Sequence, residues 1–332
     1  MTDQSTAQDI RPPVGYVLRV AMFEDAQGVT DLINATDVAE GALAEESVEE
    51  TLQRWNENGF DMAHGAWVVE TADGLIVGYE ECQDEHHDGT LWADGYVHPE
   101  HRGRGIGTVM MRLAEQRARE MMGTYPAETQ IEIIVHSYSH DQSASEIFSA
   151  QGFHVIRHYW RMEIEMPDAP DVPVLPAGIT IRTFVPEQDE RATHAAVVEA
   201  FLDHWQWVAP TFEDWVQSRV GAEWFDPSLW FIAIDQASGE IAGCSLGRIR
   251  GEDTGWVNSL GVRRTWRKQG LGMALLQYSF AEFYRRGLRR VGLGVDAGSL
   301  TGATRLYERA GMHVAQRYDR FVKVLREGTT TA

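Results

Sequence analysis

The stretch Val262-Arg263-Arg264-Thr265-Trp266-Arg267-Lys268-Gln269-Gly270-Leu271-Gly272 closes one apolar run and opens an amphipathic one. Before it, residues 256–262 read as a strand. After it, residues 272–286 place Ala274, Leu275, Tyr278, Ala281 and Phe283 within reach of one helical face. A strand, an R-x-x-G-x-G turn and a helix make an anion site by construction. The glycines let the backbone curl closely around a ligand. The helix start adds free N–H groups and the positive end of a dipole. A diphosphate suits such a turn. Walker A is absent, because neither turn of this kind has G-x-x-x-x-G-K-[ST]. The dinucleotide fingerprint also fails: in the earlier turn its third glycine would fall on Thr108.

That earlier turn lies 165 residues upstream, in His98-Pro99-Glu100-His101-Arg102-Gly103-Arg104-Gly105-Ile106-Gly107. Two further landmarks repeat. Leu18-Arg19-Val20 leads into a helical pattern, as Ile181-Arg182-Thr183 does. Ile147-Phe148 followed by Gly152-Phe153 returns as Leu306-Tyr307 followed by Gly311-Met312. Three landmarks in the same order and nearly the same spacing make the chain an internal repeat. Between the copies, Pro167-Asp168-Ala169-Pro170-Asp171-Val172-Pro173-Val174-Leu175-Pro176 cannot form a helix or a central strand. It reads as an extended linker. The expected domains are 1–166 and 178–332, joined by 167–177. Each runs strand, helices, strands, glycine turn, helix, strand, helix, strand. The fold class is α+β, with a mixed, mostly antiparallel sheet flanked by helices in each half.

The length, 332 residues, fits two domains. Acids outnumber bases by 50 to 29, for a net charge of −21. That excess argues against a non-specific nucleic-acid binder and against docking on anionic lipid. The excess is concentrated. Residues 1–166 carry 30 acids and 10 bases, whereas residues 178–332 carry 18 acids and 19 bases. The two cysteines, Cys82 and Cys244, fall in different halves and allow neither a disulfide framework nor a CxxC metal site. The polar first residues lack a secretory apolar core, and no apolar run approaches the ~18 residues of a membrane span. A cytoplasmic protein is expected. His86, His87, His98 and His101 have no metal-site spacing, so no metal is expected. The run Glu45, Glu46, Glu49, Glu50 reads as a solvated helix face, and the five tryptophans from Trp205 to Trp230 as packing.

The two turns, with Ala303-Thr304-Arg305-Leu306-Tyr307-Glu308-Arg309-Ala310-Gly311-Met312, resemble the GCN5-related N-acetyltransferases, the GNAT superfamily. That superfamily has a strand ending in V-x-x-x-x-R-G-x-G-x-G/A, then helix, strand, and a helix with N-x-x-A-x-x-L-Y-x-x-x-G-F. Met312 stands for the final Phe. The likeness covers both halves, so the chain resembles a tandem member.

The resemblance implies that acetyl-CoA lies in a gap between two central strands. Its pyrophosphate would sit on Arg267, Lys268, Gln269, Gly270, Leu271 and Gly272, with Ser299 at the family's Asn position. The first half offers Arg102, Gly103, Arg104, Gly105, Ile106 and Gly107. The pantetheine arm would pair with the preceding strand, near Leu260 and Val262 or Val97. An amine acceptor then attacks the carbonyl directly.

Two protons must move in such a reaction. The family's phenol, which serves the departing thiolate, falls on Tyr307 in the second half and on Phe148 in the first. The second half is therefore expected to be catalytic and the first non-catalytic. The strand before the second turn holds Asn258 but no acid; Glu252 and Asp253 lie upstream. Asp203 and His204, where the half's first helix ends, are the acceptor-side candidates. The expected reaction is acetyl transfer from acetyl-CoA to an amine of a small molecule. The acidic first half would favour a cationic acceptor. The alternatives are a non-catalytic acyl-CoA sensor and a protein N-acetyltransferase. No nucleic-acid or membrane partner is expected, and the chain is expected to be a monomer or homodimer.

Overall fold

The computed structural model describes residues 10–329, apart from 58, 85, 86, 206, 252, 300 and 301. The chain opens with strand β1 (Tyr16–Val20) and helices α1 (Ala26–Ala39), α2 (Val48–Trp55) and α3 (Met62–Gly65). Strands β2 (Ala66–Thr71), β3 (Ile76–Gln83) and β4 (Thr90–Val97) follow, then α4 (Ile106–Met121), β5 (Ile131–Tyr138), α5 (Gln142–Ala150) and β6 (His154–Glu165). The pattern then repeats with β7 (Ile179–Thr183), α6 (Glu190–Phe201), α7 (Phe212–Trp215), β8 (Trp230–Asp235), β9 (Ile241–Arg250) and β10 (Thr254–Val262). It ends with α8 (Leu271–Arg285), β11 (Arg290–Asp296), α9 (Ala303–Arg309) and β12 (His313–Arg326). Residues 167–177 hold no helix or strand.

Local chemistry explains the element boundaries. Gly105 and Gly270 precede α4 and α8 with φ of 86° and 85°, a conformation that costs glycine little. Ser47 caps α2, and Glu50 returns the bond to the Ser47 N–H. Glu46 pairs with Arg54 at 2.9 Å, and Glu45 is buried. The acid run is thus a cap and an ion pair rather than a solvated face.

The compact units are not the consecutive segments 1–166 and 178–332. One unit holds the described residues up to Arg157 together with those from Tyr318 onward; the other is His158–Arg317. In the first, the strand order is β1-β2-β3-β4-β5, closed by the Tyr318 end of β12. In the second, the His158 end of β6 flanks β11-β10-β9-β8-β7. Each sequence repeat gives its last strand to the other unit's sheet. The physical reason is that the two repeats offer equivalent strand edges, so either closing strand fits either sheet. Phe321 of β12 is accordingly buried in the first unit's core with Leu91, Ile133, Phe148 and Phe153.

Each sheet is covered on both faces. In the first unit, α1 and α2 pack Val29, Leu32 and Trp55 onto Val68 and Tyr79. In the second, Phe280 and Phe283 of α8 join Trp230, Leu293 and Tyr307. Trp215 and Trp230 are buried there, so these two tryptophans are packing residues. Cys82 and Cys244 are free and buried. Among the described residues, no helix is long and apolar enough to cross a membrane.

Candidate active site

In the second unit, β10 lies between β9 and β11. Its antiparallel ladder with β9 shifts register between Val257 and Ser259, leaving Asn258 as the extra residue of a bulge. Its parallel pairing with β11 runs only from Thr254 to Trp256. On its other edge β11 pairs with β6 throughout, from Arg290 to Asp296. The two central strands therefore part, and the facing edge of β10 beyond Trp256 has no strand partner, which leaves room for an extended ligand. Leu260 and Val262 lie on this edge.

The strand runs into the glycine turn. Lys268 has φ of 63° and is exposed; Gly270 has open space where a side chain would be. Leu271 and Gly272 start α8, whose first helical bond is Ala274 N–H to Gly270 O, at 3.1 Å. The N–H groups before Ala274 have no partner within the helix. At Gly272 an added Cβ would meet Leu306 at 3.0 Å, so the glycine sets how closely α8 approaches α9. Gln269 donates to Thr265 O at 3.3 Å, and Ser299 sits in the turn after β11, its N–H on Asp296 O.

The arginines around the turn are braces. Arg263 donates to Glu199 at 2.6 Å. Arg264 and Arg267 both reach the Asp203 carboxylate, at 2.6 and 2.7 Å, and Arg267 also bonds Val262 O and Ala200 O. These bonds, from Arg264 first, pull the Asp203 carboxyl down to about 2. An acid held so firmly is a poor proton acceptor near neutral pH. The first unit repeats the brace: Arg102 bonds Glu40, which stands where Asp203 stands in the second repeat. Asp203 thus shapes the turn.

His204 rests on the Phe201 ring, centroids 4.4 Å apart, and partial desolvation keeps its imidazole below the usual value. Tyr307 is 7% exposed within the apolar cluster, and burial pushes its phenol up to about 12. Glu252 and His86 lie outside the described residues, and Asp253 accepts from the Thr254 hydroxyl. On the sheet face bearing Trp256, the Arg161 and Arg250 guanidiniums lie 4.9 and 5.0 Å from its ring.

The first unit has a matching gap. β4 and β5 pair in parallel only over Thr90–Trp92. The turn follows Val97, with Gly103 and Gly105 at φ of 72° and 86°, and Arg104 bonded to Tyr16. A cavity of about 420 Å³ runs from Gly103, Gly105, Ile106 and Gly107 past Val97 and Gly95 to Phe148 and Glu80.

Sequence reasoning missed the acids beside this gap. β3 buries every residue, although it contains Glu80 and Glu81. Glu81 is pushed up to about 7 by burial, with Arg54 opposing. It accepts from the Tyr79 hydroxyl, and Arg54 lies 3.4 Å away. Burial, then Asp94 and Glu81, push Glu80 well above the carboxylate range. Asp94 accepts from Tyr96 at 2.9 Å and faces His136 at 3.6 Å. The available signal was two adjacent acids inside an otherwise apolar strand run.

Known proteins bear on this geometry. The acetyltransferase (GNAT) family profile matches residues 194–312, and a GNAT domain profile matches 63–155. A mycothiol acetyltransferase of Streptomyces bingchenggensis is 31% identical over 253 residues, 74% of this chain and 76% of that one. One from Stackebrandtia nassauensis is 28% identical and covers 89% of this chain and 95% of its own. The tandem layout is similar to that of mycothiol synthase, in keeping with these names. The crystal structure of a GCN5-related N-acetyltransferase from Sphaerobacter thermophilus superposes with a TM-score of 0.82. It has 39% identity over 96% of this chain and 98% of that one. A tandem GNAT protein from the clavulanic acid biosynthesis pathway, 18% identical, shares the fold with a TM-score of 0.73, over 93% and 98% of the two chains.

Proposed function

The chain belongs to the GNAT acetyltransferase family, and from that premise we propose that its second unit carries acetyl from acetyl-CoA to an amine of a small molecule. The parting of β10 from β11, just before a turn of positive-φ residues, is the observation that carries this reading.

The residues fit the co-substrate. Open space at Gly270 and the unpaired N–H groups of the α8 start suit a diphosphate. The edge at Leu260 and Val262, which has no strand partner, suits an amide-bearing arm, and Lys268 adds positive charge. Bound acetyl-CoA supplies an activated acetyl thioester. The chain's residues then bind, orient and move protons. The bulge at Asn258 takes backbone groups out of the β9 ladder and supports hydrogen bonding to a thioester carbonyl. Tyr307 donates to the departing sulfur; its phenol stays protonated below about pH 12, as a donor must. His204 takes the ammonium proton, its neutral form favoured by desolvation. Asp203 positions the turn through Arg264 and Arg267.

Similarity to mycothiol acetyltransferases favours a small-molecule acceptor over a peptide. A cationic acceptor suits the acidic first repeat, whereas Arg161 and Arg250 beside Trp256 disfavour one on that face of the second unit.

The test is thiol release from acetyl-CoA across a panel of amines. Tyr307→Phe is expected to slow turnover by the second unit about 10²-fold or more, with acetyl-CoA affinity nearly unchanged. Unchanged turnover removes Tyr307 from the mechanism. Acetyl-CoA binding that no amine converts to release would leave the protein a sensor.

A further inference from the structure

We propose that the first unit is a second acetyl-transfer centre, in which Glu80 is the proton donor and a cationic primary amine is the acceptor. The proposal rests on the reading that this chain acetylates amines. It departs from the expectation, drawn from Phe148, that the first half is inert.

The cavity of about 420 Å³ that begins at the first glycine turn has Glu80 among its lining residues. Glu80 is 1% exposed, and its Oε1 has no hydrogen-bond partner. A buried polar atom without a partner is costly and calls for an explanation, of which a catalytic role is one. Room has been made for this one. Glu80 pairs with Gly95 across the β3–β4 ladder, and a Cβ on Gly95 would stand 2.1 Å from Glu80 Oε2.

The second unit is an internal control. Its corresponding pair is Ser245 and Leu260, and the Ser245 hydroxyl is satisfied by Ser279 at 2.7 Å. There the protic group is assigned to Tyr307 on α9. In the first unit Phe148 takes that helix position and lines the same cavity as Glu80. The proton source has moved from helix to strand. Burial and the neighbouring Asp94 and Glu81 keep the Glu80 carboxyl protonated well above the usual range, as a donor needs.

The opposite face of β4 bears the acceptor chemistry. Side chains alternate along a strand, so Asp94 and Tyr96 face away from Glu80. Asp94 faces His136 at 3.6 Å across the point where β4 leaves β5, with Glu81 pairing opposite it on β3. In the second unit Leu246 stands in place of Glu81, Ser259 in place of Asp94, and Val295 follows the parting of β11. Acids on this face attract an ammonium and take its proton.

The step balances. The ammonium gives one proton to the Asp94–His136 pair. The amine nitrogen bonds to the acetyl carbon, and the carbon–sulfur bond breaks with its electron pair going to sulfur. Sulfur takes the Glu80 proton, and the nitrogen's second proton leaves through the Asp94–His136 side. One of the two protons delivered there returns to Glu80 through solvent, and the other is the net proton released.

The experiment uses the full chain with Tyr307→Phe, which silences the second unit, and 1,4-diaminobutane as the amine probe. Diaminobutane-driven thiol release is expected to persist and to fall about a hundredfold when Glu80→Gln is added. Equal release with and without Glu80→Gln overturns the proposal, as does no release from Tyr307→Phe alone. Difference infrared spectroscopy gives a readout independent of turnover. At pH 9, where Glu81 is ionised, a protonated-carboxyl band is expected, shifting on acetyl-CoA addition and missing in Glu80→Gln. A band that ignores acetyl-CoA overturns the proposal. Glu80→Gln keeps the side-chain shape, and calorimetric acetyl-CoA binding checks folding. If Tyr307→Phe alone changes nothing and Glu80→Gln alone abolishes release, the second-unit mechanism fails and this one stands. The reverse pattern retains that mechanism and refutes this one.

Discussion

Asp203 is placed to hold the glycine turn. Two guanidiniums converge on it, and both belong to the turn that should carry the diphosphate. Asp203→Asn removes the charge and keeps the shape. It is expected to raise the KM for acetyl-CoA about three- to tenfold, the weight of a charged hydrogen bond lost at a half-exposed site. Turnover at saturation should change little. A fall in kcat as large as that of Tyr307→Phe would return Asp203 to the chemistry.

Glu81 predicts a pH effect. Its folded value, about 7, lies above the unfolded ~4.3. The folded state therefore holds more protons than the unfolded state between those values. This contribution to stability is full below about pH 4 and is lost as pH rises through about 7. Thermal melts should fall from pH 5 to 7.5 in the parent, with a slope approaching ~1.4 kcal/mol per unit from this group. Glu81→Gln should lessen that slope by this share, leaving the contribution of Glu80, which is also raised. A parallel profile in the variant would count against a protonated Glu81.

At the scale of elements, the two central strands differ in ways their turns do not. β10 carries the bulge at Asn258, while the β4–β3 register is continuous from Trp92 to Val97. β10 also lacks side chains where helix rings must approach. A Cβ on Gly255 would stand 2.6 Å from the Phe283 ring, which lies fully inside the core. Gly255→Ala is expected to cost about 1–3 kcal/mol by overpacking, measured by urea unfolding. A neutral result would mean that α8 shifts freely, and the close fit at Gly272 argues against that. The turns themselves were readable, because glycine spacing and a following amphipathic run are local. Glu80 was not: nothing near position 80 in sequence says that Gly95 lies across the ladder and clears space for its carboxyl.

For the whole molecule, the strand exchange has a direct consequence. Cleavage within residues 167–177 leaves β6 in the second unit's sheet and β12 in the first's. The nicked fragments should co-elute in native chromatography and separate only in denaturant. Separation under native conditions would show that the exchanged strands are dispensable. Stopping the chain at Arg317 should unfold the first unit, since it removes the Phe321 packing and the Lys323–Glu115 ion pair at 2.7 Å. The charge acts on the same scale. With a net −21, the KM for a cationic amine should rise with ionic strength and that for a neutral amine should not. A flat response for both would remove the acidic field from acceptor choice.

By itself, the sequence determined the duplicated α+β plan, the two glycine turns and the family they mark. It also separated a repeat bearing Tyr307 from one bearing Phe148. These features depend on spacing and on residue types within one strand–turn–helix segment, where the physics is local. Only the tertiary structure decided which sheet each closing strand joins, that Asp203 bonds two arginines of the turn, and that Glu80 lines a cavity with one carboxyl oxygen unpartnered. Those outcomes depend on pairing between residues far apart in sequence. Equivalent strands can close either sheet with the same hydrogen bonds, and a carboxyl's protonation is set by neighbours that folding brings to it.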